Sequence, residues 1–124
     1  MGGGHSVLVV DDEPAIRLLC KVNLELEGYI VLEADTLAEA RRQLREGAGT
    51  IAVVLLDVHV GSEDGRELIG EIRSEWPSVR IALFSGTSGY AGVATADADA
   101  VIPKPFTLEH LTETVARLTS GAQV

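Results

Sequence analysis

Acidic, hydroxyl and amine side chains stand directly after apolar runs at four places in the sequence. They are Asp11, Asp12 and Glu13, then Asp57, then Ser85, and finally Lys104. Carboxylates that lie close together raise one another's pKa unless a cation lies among them. Mg²⁺ suits such a cluster, because it takes oxygen ligands and keeps waters that phosphate oxygens can replace. An aspartate held there can attack phosphorus to form an aspartyl phosphate, while an amine and a hydroxyl bind the phosphoryl oxygens.

The apolar runs that precede these residues are typical of strands buried on both faces of a parallel sheet. Three runs are long and cover residues 7–10, 51–56 and 79–84. Two shorter candidates cover residues 29–32 and 100–102. The sequence therefore predicts five strands.

Between the strands, apolar residues recur every three or four positions, which predicts helices. In the first helix this stripe consists of Ala15, Leu18, Leu19, Val22 and Leu26, and we expect it to face the core. Gly28 follows the stripe as a signal for the end of the helix. Later helices are predicted to be capped by Thr36, which forms a capping box with Glu39, by Asp64 and by Thr107.

This alternation predicts an α/β domain with one doubly wound, five-stranded parallel sheet and helices on both faces. Ligands bind such sheets at the carboxyl ends of the strands, near the point where the strand order reverses. An acidic cluster alone would be read as charges at a helix start. Asp57 and Lys104 follow other strands of the same sheet, so we expect all of these groups to meet in one pocket.

The length, the composition and the net charge of the chain limit the classes of protein to which it can belong. The chain has 124 residues, 46% of them hydrophobic, and a net charge of −9. We expect one domain at residues 6–120, between a tail or tag at 1–5 and a tail at 121–124. The single cysteine, Cys20, excludes an internal disulfide framework. An acidic chain does not favour nonspecific nucleic-acid or membrane binding, and no apolar run is long enough for a membrane span.

The segments that carry this chemistry resemble those of the response-regulator receiver domain of two-component signalling, in the CheY-like superfamily. They are Val9-Val10-Asp11-Asp12-Glu13, Leu55-Leu56-Asp57, Phe84-Ser85-Gly86 and Pro103-Lys104-Pro105-Phe106. The resemblance extends over about residues 6–119. Each motif alone is weak, but the ordered set, with each member at a strand end, is specific.

The resemblance implies a role for each of these residues. Asp57 would be the phosphoacceptor. The ligands of Mg²⁺ or Mn²⁺ would be Asp11, Asp12, Asp57 and the main-chain carbonyl of His59. The phosphoryl group would be bound by Ser85 and Lys104. It also implies the flavodoxin-like strand order 2-1-3-4-5 and a cis peptide bond between Lys104 and Pro105.

The implied function is phosphorelay signalling rather than metabolic catalysis. The domain would take a phosphoryl group from a phosphohistidine of a sensor histidine kinase or histidine phosphotransfer protein. It would catalyse part of that transfer and its own dephosphorylation, and would control a downstream output domain or protein. We expect a cytoplasmic monomer or phosphorylation-dependent dimer, with no direct nucleic-acid or membrane contact.

The sequence departs from the family pattern at the positions that carry the signal. Val101 stands where relatives often have an aromatic switch residue, and Gly61 stands where a proline is common. Residues 87–99 favour at best a short, loose helix, so we expect the segment from Ser85 onward to carry the signal. By the same resemblance, His59 and Thr87 would occupy positions where the family's rate of phosphoryl hydrolysis is tuned.

Three other functions match the sequence less well. A haloacid-dehalogenase phosphatase needs a second aspartate two residues after the nucleophile, where this chain has His59, and a cap domain does not fit its length. A flavodoxin-like electron carrier needs a phosphate-binding loop rich in Ser, Thr and Gly after the first strand, where this chain has Asp11-Asp12-Glu13-Pro14. A receiver that is not phosphorylated is disfavoured by the intact set of acidic residues and lysine.

Overall fold

The computed structural model describes residues 5–47, 49–85 and 98–121. The strands are β1 (Ser6–Val10), β2 (Ile30–Ala34), β3 (Ile51–Asp57), β4 (His59–Val60), β5 (Glu63–Asp64), β6 (Arg80–Ser85) and β7 (Ala100–Pro103). The helices are α1 (Pro14–Leu26), α2 (Leu37–Glu46), α3 (Arg66–Glu75) and α4 (Leu108–Gly121). Most of the loose helix predicted at 87–99 lies outside the described residues.

Five strands form one parallel sheet in the order β2-β1-β3-β6-β7, and β4 pairs with β5 in a small antiparallel hairpin. Without the hairpin strands this is the predicted order 2-1-3-4-5, which is confirmed. β1 lies between β2 and β3, and the chain extends the sheet first to one side of β1 and then to the other, so the strand order reverses at β1. The carboxyl end of β1 is therefore the place where the fold itself predicts a binding site.

Both faces of the sheet are covered, which explains why its strands are continuous apolar runs. On one face, α2 and α3 bury Leu44 and Leu68 against β1 and β3. On the other, α1 and α4 bury Leu24 and Val115. Burial, with the nearby negative charge of Asp11, raises the pKa of the Cys20 thiol to about 12, so this side chain packs as a small neutral group.

The predicted helix ends are confirmed at three of four places. Thr36 and Thr107 accept hydrogen bonds from the backbone N–H groups of Glu39 and His110, at 3.1 and 3.0 Å. Gly28 follows Glu27, the C-cap of α1, and adopts a φ of 98°, a conformation that glycine reaches at little cost. The prediction for Asp64 was wrong in detail, because Asp64 ends the hairpin and the N-cap of α3 is Gly65. The Asp64 carboxylate accepts instead from the N–H of Arg66, at 2.9 Å.

The predicted core face of α1 was also wrong. Cys20 and Leu24 are buried and Ile16 is partly buried, whereas the predicted stripe lies on the exposed side of the helix. Its exposed members are Ala15, Leu18, Leu19, Val22 and Leu26, of which Leu26 is 78% exposed. The helix carries two apolar rows with a spacing of four, and the sequence does not say which of them meets the sheet. Because the row with Cys20 and Leu24 packs against the sheet, the other apolar row is exposed to solvent.

This assignment predicts unequal effects of two identical truncations in α1. Leu24→Ala removes a fully buried side chain and should lower the free energy of unfolding by about 2–5 kcal/mol. Leu18→Ala, on the exposed side of the same helix, should change it by less than about 0.5 kcal/mol. Urea denaturation of both variants measures the difference. Equal losses would show that the helix is rotated from the orientation described.

Candidate functional site

Asp11 follows β1 and is held from several sides. Its backbone N–H donates to the carbonyl of Ala34 at the end of β2, at 3.1 Å. Its carboxylate Oδ1 accepts from the N–H of Glu13, at 2.9 Å, and the side chain is fully buried. A buried carboxylate fixed in this way cannot turn out to solvent.

Asp57 is the last residue of β3 and lies beside Asp11. β1 and β3 pair in parallel with Val10 opposite Leu56, so the residues that follow this pair emerge at the same edge. Carboxylate oxygens of Asp11, Asp12 and Asp57 all lie within 4.8 Å of one another. The convergence of these three carboxylates, predicted from the strand ends, is thus found.

Lys104 brings one positive charge to this cluster. Its Nζ lies 3.0 Å from Asp11 Oδ2, 3.3 Å from Asp57 Oδ2 and 3.7 Å from Glu13 Oε1. The side chain is only 17% exposed, and its backbone N–H donates to the carbonyl of Ser85, at 2.8 Å. The peptide bond between Lys104 and Pro105 is cis, as predicted.

The electrostatics of the cluster follow from burial and from the unequal number of charges. Burial and the neighbouring Asp11 raise the pKa of Asp57, although Lys104 acts against them. For Lys104, burial alone would lower the pKa, but its bond to Asp11 and the charges of Asp11 and Asp57 keep the pKa above its usual value. The lysine therefore stays charged, whereas burial and the charge of Asp11 disfavour the ionised form of Asp57.

The donor set fits a hard divalent cation. The three donor carboxylates outnumber the one ammonium, which Glu13 also contacts, so the cluster keeps an excess of negative charge that Mg²⁺ would reduce. All three are oxygen donors, and Asp12 is exposed, which leaves one side open to water or phosphate. The residues present therefore match the requirements of a magnesium site.

The loop after Asp57 depends on a glycine that sequence analysis did not identify. The N–H of Gly65 donates to the carbonyl of Val58, at 2.6 Å. A Cβ at this position would lie 1.9 Å from the carbonyl oxygen of Asp57, so only glycine allows this approach. A glycine directly before a predicted helix was the available signal, but the contact exists only in three dimensions.

The remaining predicted site residues are placed as follows. Ser85 is buried at the end of β6, His59 is exposed in the hairpin with its N–H 3.4 Å from Asp57 Oδ1, and Val101 is half-buried in β7. Thr87 lies outside the described residues.

Two aromatic residues beside Lys104 were not assigned a role from the sequence. The rings of Phe84 and Phe106 stack with centroids 5.3 Å apart, and the Lys104 ammonium lies 5.4 Å from the Phe84 ring centre. This contact adds a cation–π attraction that helps to hold the ammonium in place.

The acidic, magnesium-compatible pocket at the reversal point of a doubly wound sheet places the chain among the α/β proteins with a flavodoxin-like strand order. Within that class, the model of the response regulator receiver domain matches residues 7–116. The chain belongs to this family. Membership decides against the haloacid-dehalogenase phosphatase and the flavodoxin-like electron carrier.

Curated relatives are proteins of two-component signalling. The sensor kinase CckA of Brucella abortus is 34% identical over 95% of this chain, which spans 13% of that protein. The transcriptional regulatory protein KdpE of Mycobacterium tuberculosis is 32% identical over 94% of this chain, which spans 50% of it. The chain thus spans half or less of these relatives.

Solved structures share the fold. The response regulator TrrA of Thermotoga maritima, solved with Mg²⁺ and a beryllium fluoride, is 35% identical, with a TM-score of 0.83 over 92% of this chain and 98% of that one. A receiver domain protein of Clostridium thermocellum has a TM-score of 0.87 at 25% identity, over 96% and 97%. Among the described residues of our chain, no helix has the length and apolarity to cross a membrane.

The raised pKa of Asp57 predicts that Asp57→Asn stabilises the folded chain when no divalent metal is present. A pKa that is higher in the folded state gives a stability contribution that is present at low pH and is lost as the pH rises through the folded pKa. At neutral pH, neutral Asn should therefore raise the free energy of unfolding, by about 0.5–2 kcal/mol, the usual size of a stabilising substitution. Lys104 keeps Asp11 as a partner in this variant.

Urea denaturation in a chelating buffer at neutral and acidic pH measures this effect. The gain should shrink as the pH falls through the raised folded-state pKa of Asp57, and should be lost below the ordinary pKa of aspartate, where Asp57 is neutral in both states. Glu75→Gln, at an exposed position, is the control and should show little change. A loss of stability on Asp57→Asn at neutral pH would contradict the described balance of charges.

Proposed function

We propose that this domain accepts a phosphoryl group on Asp57 from a phosphohistidine of a sensor histidine kinase or histidine phosphotransfer protein. The observation that carries the proposal is the contact of Lys104 Nζ with both Asp11 and Asp57 at the three-carboxylate cluster. One ammonium, one nucleophilic carboxylate and a magnesium-compatible set of oxygens are what transfer to a carboxylate requires.

In the transfer, a carboxylate oxygen of Asp57 attacks phosphorus and forms an O–P bond as the P–N bond to the donor imidazole breaks. The electron pair of that bond stays on the imidazole nitrogen, which then takes up a proton. Lys104 and the Ser85 hydroxyl hold two phosphoryl oxygens and stabilise the charge that develops on them. In dephosphorylation, water attacks the same phosphorus and the Asp57 carboxylate leaves.

The metal ligands would be Asp11, Asp12, Asp57 and the main-chain carbonyl of His59. Bound Mg²⁺, or Mn²⁺, supplies charge neutralisation for the phosphoryl oxygens and lets the donor approach the acidic cluster. Asp11 is fixed by hydrogen bonds and burial, whereas Asp12 is exposed and offers the side of the site that a partner can reach.

The partner surface would be the apolar region of α1 next to the site. A groove of about 360 Å³ is lined by Ile16, Leu19, Lys104, Pro105 and Phe106. It shares Lys104 with the phosphoacceptor site, so apolar side chains placed in it bring a donor histidine close to Asp57. A helical phosphohistidine protein could bury apolar residues in this groove and at the same time bring its histidine to Asp57.

The wider function follows from the family. Residues 6–120 would form one receiver domain, cytoplasmic, whose phosphorylation changes its contacts with an output domain or protein. With Val101 in place of an aromatic, the change would pass through Ser85 and the residues after it. The domain itself would not bind nucleic acid or membrane directly, and would be a monomer or a phosphorylation-dependent dimer.

Incubation with phosphoramidate and Mg²⁺ should add one phosphoryl group to the wild-type chain, because a small donor needs only the acceptor site. Intact mass spectrometry measures the product. Asp57→Asn should abolish it, and chelation of the metal should reduce it strongly.

Glu75→Gln, at an exposed position at the end of α3, is the control and should be labelled like the wild type. Labelling of Asp57→Asn at the wild-type level would overturn the assignment of the phosphoacceptor. A wild-type chain that takes up no phosphoryl group would favour a receiver that works without phosphorylation.

A further inference from the structure

Arg17 makes a contact with the candidate site that neither the sequence pattern nor the proposed mechanism uses. Its guanidinium Nη1 donates to the main-chain carbonyl of Asp11, at 2.6 Å, and its Nε donates to Glu33 Oε1, at 3.2 Å. The side chain is 16% exposed, although it belongs to a surface helix. One arginine therefore connects α1 to the end of β1 and to β2.

The carbonyl that Arg17 holds belongs to the peptide between Asp11 and Asp12. A peptide unit is planar, so fixing its oxygen also fixes the direction in which the chain enters Asp12. Within residues 5–47, 49–85 and 98–121, no side chain forms an ion pair or hydrogen bond with the Asp12 carboxylate. The orientation of the Asp12 carboxylate therefore depends mainly on its backbone, whereas side-chain contacts also hold the carboxylates of Asp11 and Asp57.

Glu33 in turn fixes the guanidinium. It lies in β2 opposite Val9 of β1, and Gln43 of α2 donates to its main-chain carbonyl, at 2.5 Å. The planar fork of arginine satisfies Glu33 and the Asp11 carbonyl at once, which the single ammonium of a lysine does not reproduce.

We propose that Arg17 is a positioning residue that sets the affinity of the carboxylate cluster for its divalent cation by holding the Asp11–Asp12 peptide, with Glu33 orienting the guanidinium. The inference rests on the proposed function in one respect, that the cluster binds a divalent cation. It does not depend on the identity of the partner or on the transfer step.

The direction in which removal of Arg17 changes the affinity for the cation distinguishes a positioning role from a purely electrostatic one. Arg17 is a cation near a cation site, so its removal should by electrostatics alone leave metal binding unchanged or stronger. If Arg17 positions Asp12, its removal should weaken binding instead. Arg17→Lys keeps the charge and loses the fork, so any loss of affinity in that variant arises from geometry.

Mn²⁺ binding, measured by electron paramagnetic resonance of the free ion, tests the proposal without requiring phosphorylation. Arg17→Met should raise the dissociation constant about tenfold, the lower end of the usual effect of residues that orient metal ligands. Arg17→Lys should fall between Arg17→Met and the wild type, and Glu33→Gln should weaken binding less than Arg17→Met. Arg42→Met removes an exposed arginine paired with Glu39 and Glu46 and should bind like the wild type.

Urea denaturation of each variant shows whether it is folded under the binding conditions. Should Arg17→Met not fold, Arg17→Lys carries the test. Unchanged or tighter Mn²⁺ binding in the folded Arg17 variants would overturn the proposal and leave Arg17 as a clamp between α1 and β2. A wild-type chain that binds no Mn²⁺ would overturn the metal site of the proposed function, and this inference with it.

Discussion

Repulsion among three carboxylates at one edge of the sheet is the constraint on which the rest of the structure depends. Asp11 and Asp57 emerge from paired, buried strands and cannot move apart without disturbing the pairing of β1 with β3. Lys104 reduces the repulsion but does not cancel it, since one ammonium faces three carboxylates. The proposed divalent cation and phosphoryl group would relieve this repulsion together.

The fold maintains this unfavourable arrangement by fixing the backbone around it. Hydrogen bonds hold Asp11 at its N–H and at its carbonyl, and Gly65 lets the chain pass close to the carbonyl of Asp57. The aromatic pair of Phe84 and Phe106 supports the lysine from the side of α1. Functional strain of this kind persists only where the surrounding core is well packed, as it is on both faces of this sheet.

The strands, their order and the convergence of the site residues were predictable from the sequence because they depend on local patterns. Apolar runs identify buried strands, and parallel strands bring the residues that follow them to one edge. The orientation of α1 was not predictable, since Leu24 and Leu26 belong to two apolar rows of equal spacing. Gly65 and Arg17 also escaped prediction, because their roles are single contacts with main-chain carbonyls that leave no periodic signal in the sequence.

The groove beside Lys104 places the exposed Leu19 of α1 next to the acidic cluster, and the proposed docking of a partner there would link recognition to chemistry. A surface helix that is apolar on both sides is unfavourable in isolation, but it is expected where a partner must dock. The groove next to Lys104 joins the two regions, so a partner that buries apolar surface there also approaches Asp57.

The most direct test of the central claim is a crystal structure of this chain with Mn²⁺ and a beryllium fluoride adduct. An anomalous difference map would locate the metal. The account predicts one ion among the carboxylates of Asp11, Asp12 and Asp57, and the adduct on Asp57 within hydrogen-bond distance of Lys104 Nζ. An ion bound elsewhere, or an adduct on another residue, would contradict it.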